Sequence, residues 1–252
     1  MRICSVANLK GGAGKTTSVV ALADAVSADT DVFVIDLDPQ GTLSAWLAGR
    51  SEAATALLTG DFRPADHVVR VADGIDVIPS DRSLERVVKK RPSQLSARLE
   101  RLWGALSGYG LVLVDTPPQA SSLVTAALLA SDDVMCPVSP GRGAVDGLLH
   151  LMDYTNRIGG ADLWAAFVCN VDLRSKLHKQ LPSEMIDRLG LYDDGGKAAA
   201  HFVRSTVQMQ EAEVASELPS RYCPSATAWE DYQALAFELF DVDVDAEGSR
   251  AI

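Results

Sequence analysis

The sequence predicts an α/β fold: a doubly wound, mostly parallel sheet with helices on both faces. Three observations carry that expectation. Val32-Phe33-Val34-Ile35 and Leu111-Val112-Leu113-Val114 are continuous apolar runs, each closed by an aspartate, Asp36 and Asp115. Unbroken runs, unlike alternating ones, suit strands covered by helices on both faces. Helical spacing recurs between such runs, as in Val145, Leu148, Leu149 and Met152 at i, i+3, i+4 and i+7. A glycine-rich turn joins the first apolar run to the first helical one, which is how strand–helix alternation begins.

The elements follow in order. Ile3 to Val6 predicts the first strand, and the helix after the glycines carries Val19, Leu22, Ala23 and Val26 on one face. The two aspartate-closed runs are central strands. From Leu43 to Ser107 the pattern is less regular, with helical pieces and one strand over Gly74 to Pro79. Val134 to Val138 and Leu163 to Val168 predict two further strands. A last helix carries Trp229, Tyr232, Ala236, Leu239 and Phe240 at core-facing spacing, with Thr227 and Glu230 offering a capping box. Residues 1–240 are expected to form one domain, followed by an acidic tail over 241–252. In such a sheet ligands bind beyond the carboxyl ends of the strands, where the glycine loop, Asp36, Asp115 and Asn170 all emerge.

Charge narrows the function classes. The 252 residues carry a formal net charge of −11, which excludes a nucleic-acid protein working by overall charge and leaves room for a local basic patch. Cys4, Cys136, Cys169 and Cys223 lie far apart without Cys-x-x-Cys spacing, so neither a metal nor a disulfide framework is expected. No apolar run is long enough to span a bilayer. The chain enters its first strand at once, which predicts no secretory leader, no N-terminal helix-turn-helix and a cytoplasmic location.

The chemistry gathers in Asn8-Leu9-Lys10-Gly11-Gly12-Ala13-Gly14-Lys15-Thr16-Thr17. Glycines let a backbone bend closely around an anion, and the following helix adds partial positive charge at its start. Lys15 suits the outer phosphates and the Thr16 hydroxyl suits Mg²⁺. Leu9 stands where the common phosphate-loop pattern has its first glycine, and Lys10 precedes the glycine pair. Asp36 and Asp38 point the same way in an extended backbone, so both are placed to face one phosphate site.

These residues resemble a family. Lys10-Gly11-Gly12-Ala13-Gly14-Lys15-Thr16-Thr17, with Asp36-x-Asp38-Pro39-Gln40-Gly41 and Asp115-Thr116-Pro117-Pro118, is similar to the ParA/MinD group of deviant Walker P-loop ATPases. The Asp-Pro-Gln-Gly wording resembles the ParA partition branch. The resemblance implies a catalytic set of Lys10, Lys15 and Asp38, with Asp38 placing the attacking water. It implies ATP held by residues 10–17 and by Asn170 at the adenine, and Mg²⁺ ordered by Thr16, Asp36 and Asp115. Lys10 is similar to the signature lysine that reaches a partner's phosphates across an ATP-sandwich homodimer. Thr42 departs from the frequent asparagine after Asp-Pro-Gln-Gly, and Phe202-Val203-Arg204-Ser205-Thr206 lacks the usual Ile-Pro-Arg wording.

The resemblance further implies a DNA-partition ATPase that binds DNA without sequence preference, associates with the nucleoid and relies on a ParB-like partner. Arg174, Lys176 and Lys179 are the DNA-binding candidates. A second cluster, Arg82, Arg86, Lys89 and Lys90, is expected on one face of a helix with Leu84, Val87 and Val88 opposite. A MinD-like membrane ATPase would need a basic amphipathic C-terminal helix, whereas this chain ends in Asp241, Asp243, Asp245 and Glu247. Positioning of a protein cargo and a metabolic ligase on the same fold are the alternatives, and the Asp-Pro-Gln-Gly run with Lys10 argues against the ligase.

Overall fold

The computed structural model describes residues 1–189, 197–198 and 201–241; the acidic tail beyond Asp241 lies outside the described residues. The first half runs β1 (Arg2–Val6), α1 (Lys15–Val26), β2 (Val32–Asp36), α2 (Thr42–Leu47), α3 (Ala53–Thr59), the one-turn α4 (Pro64–His67), β3 (Val69–Ala72) and β4 (Ile75–Ile78). Then come α5 (Pro92–Trp103), β5 (Leu111–Asp115), α6 (Ser122–Ala130), β6 (Asp133–Val138), α7 (Ala144–Ile158) and β7 (Asp162–Val168). The chain closes with α8 (Lys176–Leu189), β8 (Lys197–Ala198), α9 (Val207–Ala215), the one-turn α10 (Pro219–Tyr222) and α11 (Thr227–Phe240).

The strands form one sheet in the order β3-β4-β2-β5-β1-β6-β7-β8. Every neighbouring pair is parallel except β3 with β4, which is antiparallel. All five residues of β2 and of β5 are buried, as continuous apolar runs demand. One face carries α1, α2, α9 and α11 on Val6, Val32, Val34 and Leu113; the other carries α3, α5 and α6 on Ile3, Phe33, Ile35 and Val114. Register sets the site: Val6 stands beside Asp115, and Asp115 beside Asp36. The ends of β1, β5 and β2 therefore meet at one carboxyl edge.

Several expectations need correction. The first helix is not amphipathic: every residue from Ser18 to Val26 is buried. It lies between the sheet and a second layer, with Ser18 hydrogen-bonded to Tyr232 (3.0 Å) and Asp24 accepting from Ser220 (2.7 and 2.8 Å). The stretch from Arg82 to Lys90 is not an α-helix but a 3-10 turn over Arg82–Arg86 followed by turns up to Pro92. Thr227 and Glu230 form no capping box, because Ala226 occupies the cap and Thr227 is already the first helical residue. Leu149 faces outward at 41% exposure; the buried stripe of α7 is Val145, Leu148, Leu151 and Thr155. The strand within Gly74 to Pro79 is β4, and its antiparallel partner β3 joins it through Asp73-Gly74, with Gly74 at φ 75°.

Candidate nucleotide site

The loop between β1 and α1 is held from three sides. Gly12 and Gly14 sit in the left-handed region at φ 71° and 86°, which glycine adopts at least cost. A Cβ at Gly14 would lie 2.7 Å from the Cys169 sulfur, whereas one at Gly11 or Gly12 would meet nothing within 4 Å. The loop is thus closed towards the body and open on its ligand side. The Cys169 thiol, pushed up to about 12 by burial, remains protonated and donates to the Ala13 carbonyl (3.0 Å). Asn8 is buried; its side-chain oxygen accepts the Lys10 N–H (2.9 Å) and its amide donates to the Pro137 carbonyl (2.8 Å). Asn8 therefore fixes the loop to the end of β6.

The two loop lysines diverge. Lys15 opens α1, is 7% exposed, and donates to the Lys10 carbonyl (3.4 Å). Burial pushes its ammonium down from the usual lysine range, while Asp115 and Asp38 pull it back up. Lys10 is exposed, does not line the cleft beside Lys15, and donates instead to the Arg142 carbonyl (3.4 Å).

The three carboxylates have different surroundings. Asp115 is fully buried; Oδ2 accepts from the Thr16 hydroxyl (2.7 Å), and Oδ1 has no hydrogen-bond partner among the described residues. Burial first, then the neighbouring Asp36 charge, raises Asp115 well above the usual carboxylate range. An unpartnered buried carboxylate oxygen beside a threonine hydroxyl fits a hard divalent cation, which takes oxygen ligands and neutralises the charge. Asp36 is satisfied by the chain itself: Oδ1 accepts the Asp38 N–H (2.9 Å) and Oδ2 accepts the Ser44 N–H (3.0 Å) and hydroxyl (2.6 Å). Burial raises it and these donors oppose the rise. In this geometry Asp36 holds the loop that carries Asp38. Asp38 itself lines the cleft, half-buried, with Oδ1 accepting from the Gln40 N–H (2.9 Å).

A cleft of about 310 Å³ runs from Gly11–Thr17 past Asp38 to Asn170, which is exposed at φ 62°. Its far wall is Val203–Thr206 with Met209, Gln210 and Glu213 of α9. The segment without the Ile-Pro-Arg wording is therefore at the site all the same. Backbone pairing places it: Val203 N–H to the Val168 carbonyl (2.8 Å), Val171 N–H to Val203 (3.0 Å) and Ser205 N–H to Val171 (2.9 Å). Arg204 is clamped on Asp231 (2.7 and 2.8 Å). The sequence shows Asn8 at the start of the loop motif and Cys169 in an apolar run but assigns neither a role, and it does not single out Ser44; the importance of all three lies in contacts distant along the chain.

The basic candidates are not equivalent. Arg174 is 92% exposed on its side chain but forms a two-pronged pair with Asp172 (2.9 Å), which holds that carboxyl down at about 2. Lys176 and Lys179 are exposed at the start of α8. Arg82, Arg86 and Lys89 are exposed around the 3-10 turn, on the same face of the sheet as α8 but beyond α6, beside α3 and α5.

Comparison with known proteins agrees with this geometry. The family model described as an AAA domain matches residues 1–162. The chain is 33% identical over 212 residues to the chromosome partitioning protein ParA of Caulobacter vibrioides, covering 77% of this chain and 79% of that one. It is 28% identical over 246 residues to the chromosome-partitioning ATPase Soj of Thermus thermophilus, covering 95% of each. A plasmid partition protein of Borrelia burgdorferi, solved with AMPPNP, superposes with a TM-score of 0.78 at 20% identity, covering 94% of this chain and 98% of that one. With its glycine loop, paired lysines and strand-end aspartates in place, the chain belongs to the ParA/MinD family of P-loop ATPases.

Proposed function

We propose that the chain is an ATP-dependent DNA-partition ATPase: a dimer forms around Mg²⁺-ATP, holds DNA without sequence preference, and releases it on hydrolysis prompted by a ParB-like partner. The divergence of Lys10 and Lys15 carries this reading. One loop cannot easily use both amines on its own phosphates when Lys15 lies inside the cleft and Lys10 outside it. A second copy facing the first would bring its Lys10 to the neighbour's outer phosphate. Its partition role is supported by the two relatives named above, which are chromosome-partitioning proteins.

Each residue then has a task. The backbone N–H groups of Gly11–Thr17 and the Lys15 ammonium hold the phosphates. Thr16 and Asp115 hold Mg²⁺, with Asp36 steadying the loop behind them. The metal supplies charge neutralisation and orientation at the outer phosphates. Asp38, at the cleft, positions the attacking water, and Lys10 of the facing copy offsets charge that builds on the phosphoryl oxygens. Loss of the outer phosphate removes the bridge between the two copies, which makes the dimer ATP-dependent. Asn170 and the Val203–Thr206 wall face the base. No helix among the described residues is long and apolar enough to cross a membrane, and the proposed site of action is the nucleoid.

A mobility assay on mixed-sequence duplex tests the reading. Retardation with ATP alone, weakening with salt and indifferent to sequence, is expected. Equal binding without nucleotide, or one preferred sequence, contradicts it.

A further inference from the structure

One stretch of this acidic chain concentrates cations without ion pairs. Arg2, Arg70, Arg157, Arg174 and Arg204 each pair with a carboxylate. Arg82, Arg86, Lys89, Lys90, Arg91, Arg98 and Arg101 form no ion pair among the described residues, and only Glu85 and Glu100 interrupt them along the sequence. Buried Leu84 and Val87 anchor the 3-10 turn and its extension, leaving Arg82, Arg86 and Lys89 exposed. On α5, buried Leu95, Leu99 and Leu102 face the sheet, while Gln94, Arg98 and Arg101 recur at i, i+4 and i+7 on another side.

That side forms one wall of a groove of about 500 Å³ against the end of α3. Lys90, Arg98 and Arg101 line it with Thr59, Ser93 and Gln94, and among the described residues neither a carboxylate nor an aromatic ring is on its walls. Gly60, at φ 102°, ends α3, and a Cβ there would lie 2.9 Å from both terminal nitrogens of Arg98. The guanidinium therefore crosses the carboxyl end of that helix, where the dipole favours a cation.

We infer that this groove and the flanking cations are the surface on which the sugar–phosphate backbone of duplex DNA docks, in place of the start of α8. The inference rests on the proposed DNA-partition function. Lysine, arginine and small hydroxyl or amide donors are the set that contacts phosphates and sugars. Single-stranded sites add rings on which bases stack, and this groove has none. The 12 residues of α5 extend about 18 Å, which spans about five phosphates of one strand. At the start of α8, by contrast, Arg174 is already committed to Asp172, which leaves two cations, Lys176 and Lys179, against seven in the groove row.

The same segment is tied to the nucleotide loops at its start and at its middle. The Ser80 N–H donates to the Ser44 hydroxyl (2.7 Å), which donates to Asp36, and the Ser80 hydroxyl donates to the Asp38 carbonyl (2.7 Å). Among the cations, between Arg86 and Lys89, the Val88 carbonyl accepts from the Ser122 hydroxyl, and Ser122 opens the helix that follows Asp115. A rearrangement around Asp36, Asp38 or Asp115 therefore reaches the cation row through short hydrogen-bonded links, which makes its grip on DNA dependent on the nucleotide.

The test uses the full chain with Mg²⁺-ATP and a mixed-sequence duplex. Wild type is compared with K90Q/R98Q/R101Q, with K89Q/K90Q/R101Q, which spares the Arg98–Gly60 packing, and with R174Q/K176Q/K179Q. Both groove variants should bind DNA at least tenfold more weakly, with the salt slope shallower by about 0.9 for each phosphate no longer neutralised. Both should retain ATP binding and ATP-dependent dimerisation. Unchanged DNA binding by the groove variants, with weaker binding by the α8 variant, would overturn the assignment, as would a preference for single strands. A wild type that ignores DNA under ATP refutes the function reading itself, and the assignment with it.

Discussion

At Gly14 two requirements coincide on one residue: a left-handed φ of 86° and a cysteine sulfur 2.7 Å from where a Cβ would stand. Gly14→Ala should lose at least tenfold in ATP affinity, read by titration with a fluorescent nucleotide, since the backbone strain alone is worth about 1–2 kcal/mol and the clash adds to it. Wild-type affinity in that variant would mean that the loop geometry is wrong. Lys15→Ala should abolish ATP binding in the same titration. Gly14 and Lys15 were legible in the sequence because strand, glycines, lysine and helix follow one another directly. Ser44 was not. Its hydroxyl donates to Asp36 and accepts from Ser80, 36 residues away, a link that only the folded sheet creates. Ser44→Ala should destabilise the protein by about 1–3 kcal/mol, because it leaves buried partners unsatisfied; thermal unfolding checks this.

Among the elements, those built from continuous apolar runs matched their expectation, and those whose burial comes from a second layer did not. β2 and β5 are buried throughout, as read. Helix α1 is covered on its outer side by α10 and α11, so Ser18 and Asp24 are buried beside its valines, and no periodicity could reveal it. The edge strand β3 has mixed burial and gives no run to detect, although Asp73-Gly74 is a hairpin signal. Its pairing carries a pH dependence. Burial tends to raise Asp76, but Arg70 (2.8 and 3.0 Å) and the Tyr109 hydroxyl (2.5 Å) together hold it below the usual carboxylate range. A carboxylate lowered in the folded state contributes stability above its unfolded pKa and loses it as pH falls through the folded one. Asp76→Asn should therefore lower the melting temperature by a few degrees at neutral pH, and the difference should vanish in acid. An equal deficit at both pH values would show that the carboxylate charge is not what stabilises this edge.

For the whole molecule, the central claim is that one chain holds half of a nucleotide site. Asp115 retains an oxygen with no partner among the described residues, Lys15 lies inside the cleft, and Lys10 turns away to the Arg142 carbonyl. The sequence indicated two lysines with separate tasks through its family resemblance; the fold adds the separation, because Asn8 pins the Lys10 end of the loop to β6 and Cys169 holds Ala13 before Lys15. Sedimentation velocity with Mg²⁺-ATP tests this most directly. Asp38→Ala, which retains both lysines but should not hydrolyse, is expected to sediment as a dimer with ATP and as a monomer with ADP. Asp38→Ala combined with Lys10→Ala should still bind ATP yet remain monomeric. A double variant that dimerises with ATP as readily as Asp38→Ala would contradict the claim.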